Sequence, residues 1–122
     1  MEGLGVDNME FDDDLQQYVV EHKGILFAWD EEPEDYEELI EKLAESYWDK
    51  IDSIARYISA DIEEMYGSHS IEDIEEKLGM PTIDPDNGEI NWYEHTFDGM
   101  HIFTLEYLDD EFEELSYFMV NG

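Results

Sequence analysis

Residues 34–67 decide how this chain folds, and they read EDYEELIEKLAESYWDKIDSIARYISADIEEMYG. Apolar side chains recur there in steps of three and four, which is the period of one face of an α-helix. They are Tyr36, Leu39, Ile40, Leu43, Ala44, Tyr47, Trp48, Ile51, Ile54, Ala55, Ile58, Ile62, Met65 and Tyr66. The opposite side is dense in carboxylates, with Lys42 almost alone among them. The stretch therefore predicts a helical segment with one buried side and one acidic side.

The periodic stretch exceeds the ~20–25 residues usual for a helix of a globular protein. A break near residues 48–50 is expected, with Asp49 as the N-cap of a second helix. Because the apolar phase continues without interruption, one long or kinked helix stays open as the alternative. Trp29 and Trp48 fall in apolar phase and are expected in the core, whereas Tyr57 is the better candidate for an interface.

The composition is that of a folded but very acidic protein. The chain has 122 residues, the size of one domain, and 14% of them are aromatic, which is too many for a disordered acidic tail. It has 36 Asp and Glu against 5 Lys and Arg, a formal net charge of −31. Self-repulsion on this scale opposes a compact state. The acidity therefore calls for either a cationic partner or a salt-rich cytoplasm.

The remaining segments predict an α+β fold. Residues 1–8 are expected to be a flexible lead-in, and residues 9–122 a single α+β domain. Strands are expected on either side of a turn at 21–24, and again at 90–94, 101–108 and 115–120. Ser70 with Asp73 marks the start of a short helix that runs to Leu78. The predicted order is β-β-α-α-α-β-β-β, with the central helices packed on one face of an antiparallel sheet.

The segment order resembles a family of uncharacterised bacterial proteins known only as a domain of unknown function. The likeness is carried by residues 97–102 (FDGMHI) and by the ending Val120-Asn121-Gly122. The family pattern has Trp after the Phe and His directly after the Gly, where this chain has Asp98 and Met100. The resemblance implies an acidic N-terminal hairpin, central helices and a C-terminal aromatic sheet, and no activity.

Few residues suggest chemistry. Asp84-Pro85-Asp86-Asn87-Gly88 resembles a calcium loop, but Gly88 is fifth where the sixth position is required, so a turn with Asx-type hydrogen bonds is expected. His95 and His101 flank a turn and, with Glu94 or Glu106, could form a metal or acid–base site. Ordinary strand and turn roles are the simpler interpretation. With no Cys and no nucleophile motif, we expect a non-enzyme without metal or cofactor.

Three acidic segments are the candidate partner-binding surface. The first precedes and begins the long helical stretch, the second lies on the short helix, and the third is the loop between the last two strands. Their residues are Glu34, Asp35, Glu37, Glu38, Glu41, Glu45; Glu72, Asp73, Glu75, Glu76; and Asp109, Asp110, Glu111, Glu113, Glu114. Carboxylates three or four residues apart on a helix lie about 5–6 Å apart at Cβ, which is the scale of successive phosphates along a nucleic-acid strand.

The sequence predicts an inhibitor that mimics nucleic acid. It would occupy the basic DNA- or RNA-binding surface of a nuclease or defence complex, either as a phage protein against CRISPR or restriction systems or as immunity to a nuclease toxin. Small acidic anti-CRISPR proteins are similar to it in size and charge. Its expected setting is the cytoplasm of a bacterial or archaeal cell, without direct contact to nucleic acid or membrane. The alternatives are a housekeeping domain adapted to high internal salt and a metal-dependent enzyme using His95 and His101.

Overall fold

A computed structural model describes residues 9–121 of the chain. The fold is α+β, with two helices and a mixed sheet of seven strands. The elements are β1 (Glu10–Asp12), β2 (Gln17–His22), β3 (Ile25–Trp29), α1 (Glu37–Tyr66), α2 (Ile71–Leu78), β4 (Thr82–Asp84), β5 (Glu89–Trp92), β6 (Ile102–Tyr107) and β7 (Leu115–Asn121). The expected lead-in at 1–8 lies outside the described residues. Within residues 9–121, no helix is long and apolar enough to cross a bilayer.

The strands lie in the sheet in the order of the sequence, from β1 at one edge to β7 at the other. Every neighbouring pair is antiparallel except β3 and β4, which run parallel with Leu26 opposite Thr82 and Phe27 opposite Ile83. The predicted all-antiparallel sheet was therefore wrong. Parallel neighbours need a long crossover connection, and here α1 and α2 together form it. The two strands absent from the predicted order, β1 and β4, are only three residues long.

Helix α1 is one continuous helix of 30 residues, so the predicted break at 48–50 and the count of three helices were wrong. Asp49 is not an N-cap but an exposed residue in the helix interior. The uninterrupted apolar phase is the reason, because Tyr47 and Ile54 on either side of Asp49 are both buried in the same core. Trp48, expected in the core, is 44% exposed, and its Nε1 donates to the backbone oxygen of Lys23 at 2.7 Å.

Local signals in the sequence were read correctly at several turns and caps. The hairpin between β2 and β3 turns on Lys23 and Gly24, which both have positive φ (52° and 77°), as a tight two-residue hairpin turn requires. Ser70 caps α2, since its Oγ accepts a hydrogen bond from the amide of Asp73 at 3.1 Å. Asp84 accepts hydrogen bonds from the amide and the side chain of Asn87, which confirms the predicted Asx-type turn.

The core lies between the helices and one face of the sheet. Alternate residues of strands β2 to β7, such as Phe27, Ile90 and Phe103, belong to the core that includes the buried stripe of α1. Trp92 of β5 is fully buried, and its Nε1 donates to the hydroxyl of Tyr47 on α1 at 3.1 Å. The opposite face of the sheet is here called the outer face. Within residues 9–121 no helix packs on it, because both helices belong to the same crossover.

Ile54→Ala tests whether α1 packs on the core along its whole length. Ile54 is fully buried just past the position of the rejected break, so the change should lower the free energy of unfolding by ~2–5 kcal/mol. Urea unfolding followed by circular dichroism measures it. Ser53→Ala, at the exposed neighbouring residue, is the control and should change stability by less than ~0.5 kcal/mol. Equal effects of the two changes would contradict this packing.

Candidate interaction surface

A row of carboxylates follows the exposed side of α1. Glu38, Glu41 and Glu45 were predicted to form it, and the unbroken helix extends it to Asp49 and Asp52. Successive members are three or four residues apart, so they lie on one side of the helix. We call these five residues the α1 row, and at 1.5 Å per residue it is about 21 Å long. The last two members were missed because a helix break was expected there.

The residues that precede α1 add negative charge at the N-terminal end of the α1 row. Glu34 and Asp35 are exposed in the segment before the helix, and Glu37 is in its first turn. The helix begins three residues later than Glu34, and its start has no side-chain cap. Carboxylates at a helix N-terminus are favourable because the unpaired amides there carry partial positive charge. Part of this acidity therefore has a structural benefit.

Two members of the α1 row already have partners: Asp52 accepts from Nε of Arg56 at 2.8 Å, and the other is Glu41. Its carboxylate accepts from Nζ of Lys23 and contacts Nε2 of His22 at 2.8 Å. The hydrogen bonds from Lys23 and then from His22 lower the pKa of Glu41 to about 2. Glu41 therefore joins α1 to the β2–β3 hairpin, and a partner would find this carboxylate already engaged.

The acidic residues of α2 lie beside α1. Glu72 and Glu76 are exposed, while Asp73 and Glu75 are half-buried. The pKa of Arg56 on α1 is raised first by its hydrogen bond to Asp52, and also by the charges of Glu75 and Glu72. These contributions show that the α2 carboxylates are within electrostatic range of α1. Asp73 lies next to the cap of α2, with an oxygen 3.7 Å from Nε2 of His69.

The loop between β6 and β7 is fixed against α1 by its own residues. Asp109 accepts hydrogen bonds from the amides of Glu111, Glu113 and Glu114 at 2.9, 3.2 and 2.7 Å. Partial burial opposes ionisation of Asp109, but these amides together lower its pKa. Phe112 is buried against Tyr47 and Tyr107. Asp109 thus closes the loop rather than offering a free charge.

The loop adjoins the α1 row across a groove. Glu113 lies 3.3 Å from Nζ of Lys50, and the groove is lined by Ser46, Asp49, Lys50, Glu111 and Glu113. The three predicted acidic segments therefore all lie on α1 or beside it. Four of their members have internal partners, namely Glu41, Asp73, Asp109 and Glu113. The exposed remainder without such a partner in the described structure comprises Glu34, Asp35, Glu37, Glu38, Glu45, Glu72, Glu76, Asp110, Glu111 and Glu114.

His95 and His101 are adjacent but do not converge on a common site. Nε2 of His95 donates to the backbone oxygen of His101 at 2.6 Å, while its Nδ1 accepts from the amide of Phe97 at 3.2 Å. Its ring stacks on Phe103, with centroids 3.9 Å apart. His101 contacts Asp98 at 2.8 Å. Both imidazoles thus stabilise this loop, and nowhere in residues 9–121 do three or more His, Asp or Glu cluster to hold a metal.

The outer face of the sheet carries a second carboxylate row that the sequence analysis missed. Glu89 on β5 lies directly opposite Asp84 on β4 on one side and Glu106 on β6 on the other. Burial, then the charges of Asp84 and Glu106, raise the pKa of Glu89. Each of these strands alternates polar and apolar residues, so the sequence indicated that the acids share one face. That they form a row is recognised only when the register between the strands is known. Directly opposed like charges destabilise a sheet.

Comparison of the chain with protein-family models, curated proteins and solved structures found no match. The likeness to a bacterial domain of unknown function therefore stays a prediction. What can be inferred about function rests on the surface described above.

Glu106→Gln tests the repulsion in the outer-face row. Because Glu89 has a raised pKa in the folded protein, its ionisation weakens folding as the pH rises. Removing the charge opposite it should raise the free energy of unfolding at about pH 7 by ~0.2–1 kcal/mol. The gain should shrink towards about pH 4, where carboxylates take up protons.

Urea unfolding at both pH values measures this effect. Glu10→Gln is the control, because Glu10 faces Val19 across β1 and β2 and has no carboxylate opposite it. An equal gain from both changes would show that only net charge matters.

Proposed function

We propose that this protein is a non-enzymatic inhibitor that presents carboxylates in place of nucleic-acid phosphates. It would occupy the basic DNA- or RNA-binding surface of a nuclease or defence complex. Either biological setting fits, a phage protein acting against CRISPR or restriction, or immunity to a nuclease toxin. The α1 row is the observation behind the proposal, because Glu38, Glu45 and Asp49 are exposed along one side of a helix that packs against the core.

The geometry of the α1 row suits a groove that binds phosphates. Duplex DNA presents one negative charge per ~1.7 Å of axis over two strands, and so one per ~3.4 Å along each strand. The α1 row places five carboxylates over about 21 Å, a sparser line of the same sign. The acids of α2 and of the 109–114 loop lie near the α1 row, on the side of the sheet where the helices pack. Together with the α1 row, these acids would raise the density of negative charge towards that of a duplex.

Rigidity favours the same proposal. Tyr47 and Ile54 hold α1 on the core in the region of the row, and Asp109 with Phe112 holds the adjacent loop. Because the helix backbone is already ordered, binding would need to order only the carboxylate side chains, so preorganisation contributes to affinity. Electrostatic steering by the net charge of −31 would also speed association with a basic protein.

The triple variant Glu38→Gln, Glu45→Gln, Asp49→Asn tests the α1 row directly. All three residues are exposed, so folding should be nearly unchanged while affinity for a basic partner falls strongly. The control is Glu10→Gln, Asp14→Asn, Glu21→Gln, which makes the same change in net charge at exposed positions of the β1–β2 region. Equal weakening by both variants would show that net charge, and not this row, directs binding.

Partners for that measurement can be obtained by affinity capture with competition. Tagged protein is incubated with bacterial lysate, and bound proteins are eluted with duplex DNA, with RNA, or with salt. Raising NaCl from ~0.1 M to ~1 M shortens the Debye length from ~10 to ~3 Å and should release a phosphate-mimicry partner. A captured protein that nucleic acid does not displace would contradict the proposal.

A housekeeping role at high internal salt is the second candidate. The opposed carboxylates of Asp84, Glu89 and Glu106 favour it, because they lie away from α1 and repel one another. A domain of this kind should unfold without molar salt, whereas an inhibitor should be folded at physiological ionic strength. Thermal unfolding monitored by circular dichroism across a KCl series separates the two, and a midpoint below growth temperature at ~0.15 M KCl would favour the salt-adapted role.

A further inference from the structure

Among residues 9–121, strand β7 forms a sheet edge with no strand beyond it, and its lack of charge is unusual for this chain. The other edge, β1, is only three residues long and carries Glu10 and Asp12. By contrast β7 has seven residues, LSYFMVN, and none of them is charged. Charged side chains and short length are the usual means by which an edge strand avoids pairing with another chain. The edge at β1 has both protections, and the edge at β7 has neither.

The hydrogen bonds of β6 establish which backbone groups of β7 point outward. The amide of Tyr107 donates to the oxygen of Gly88 at 3.0 Å, so Tyr107 faces β5. Successive residues of a strand direct their backbone N–H and C=O groups towards opposite neighbours. Those of Glu106 therefore point to β7, where Glu106 pairs with Tyr117. It follows that Phe118 and Val120 direct their N–H and C=O groups away from β6, towards the open edge.

The described structure covers only the beginning of this edge. The hydroxyl of Tyr57 on α1 donates to the backbone oxygen of Ser116 at 3.1 Å. Beyond Ser116, no other segment within residues 9–121 makes a backbone hydrogen bond to the outer side of β7. Tyr117 is 57% exposed beside it. Phe118 and Val120 therefore offer two donors and two acceptors to an incoming strand.

We propose that β7 pairs antiparallel with β7 of a second copy of this chain, joining two sheets into one. This inference is independent of the proposed function. Charge indicates the occupant, because a cationic segment would find its ion-pair partners at the carboxylates elsewhere on the molecule and none on β7. Two copies of net charge −31 can approach closely only where neither presents a charge, and β7 is such a strip. The acidic loop at 109–114 precedes the strip and stays outside it.

One register uses all the outward groups. Phe118 lies opposite the partner's Val120, and Val120 opposite the partner's Phe118, which gives four backbone hydrogen bonds around a two-fold axis. Met119 then lies on the axis, opposite the partner's Met119, in a pair without direct hydrogen bonds. Tyr117 lies opposite the partner's Asn121. The side chains that face each other across the junction are all uncharged.

Sedimentation velocity at several protein and NaCl concentrations tests the association. The species should shift from 14.4 kDa towards twice that mass as protein concentration rises. Added salt should strengthen the dimer, because it screens repulsion between two anionic bodies. Salt should have the opposite effect on a basic partner, whose binding it weakens. The failure of one proposal therefore leaves the other intact. A monomer under all conditions overturns the dimer.

Val120→Pro removes the backbone N–H of residue 120, which points to the open edge and makes no hydrogen bond to β6. An edge strand tolerates proline at such a position. It should abolish the dimer, while Val120→Ala, which shortens the same side chain but keeps the amide, should retain it. Circular dichroism checks the fold of both variants. A dimer that survives in folded Val120→Pro overturns the proposed edge.

Disulfide trapping tests the register and does not depend on the proline variant. The chain has no Cys, and the pair at Met119 places two Cα atoms roughly 4.5 Å apart, within the range of a disulfide. Met119→Cys should therefore form a covalent dimer on mild oxidation. Tyr117→Cys, on the same face of the same strand, is the matched control and should form far less. Equal trapping of both variants overturns the register and with it the proposed pairing.

Discussion

The packing of α1 on the inner face of the sheet is the interaction on which the whole fold depends. A chain of net charge −31 has strong self-repulsion, and only 5 Lys and Arg are present to offset it. The stripe that includes Ile40, Tyr47 and Ile58 buries against β3, β5 and β6 and supplies the opposing hydrophobic contribution. Because this burial needs one side of α1 only, the other side is free to carry charge. Carboxylates outside this stripe therefore add repulsion without reducing the hydrophobic burial that stabilises the fold.

The distribution of the basic residues follows from the same arrangement. Lys42, Lys50 and Arg56 lie on α1, Lys77 on α2, and Lys23 contacts Glu41 of α1. Positive charge is therefore concentrated beside the densest rows of carboxylates, where it relieves most repulsion. The outer face of the sheet carries its acids without Lys or Arg among residues 9–121. The two sides of the molecule thus differ in how their negative charge is compensated.

Features that depend on neighbouring residues were predictable from the sequence, and features that depend on distant ones were not. The period of α1, the cap at Ser70, the tight hairpin and the Asx turn at Asp84 are all local and were read correctly. The parallel pairing of β3 with β4 depends on the crossover, and the three residues of β4 are too few to predict it from the sequence. Likewise the row of Asp84, Glu89 and Glu106 exists only once three strands are in register.

The acidic segments illustrate the same limit at the level of the site. Their residues could be named in advance, yet the sequence did not distinguish a free carboxylate such as Glu38 from one committed to a loop, such as Asp109. Nor did it reveal that Asp49 continues the α1 row, because length statistics favoured a break where the core contacts of Tyr47 and Ile54 keep the helix continuous.

The parallel junction of β3 and β4 also has a kinetic consequence. Each other strand pair joins elements adjacent in sequence, so the segments before and after the helices can each form their own meander quickly. Only two residue pairs, at Leu26 and Phe27, connect these halves within the sheet, and their partners lie more than fifty residues away in the chain. We expect closure of that long loop over α1 to be a late step of folding, since its entropy is lost before the contacts are gained.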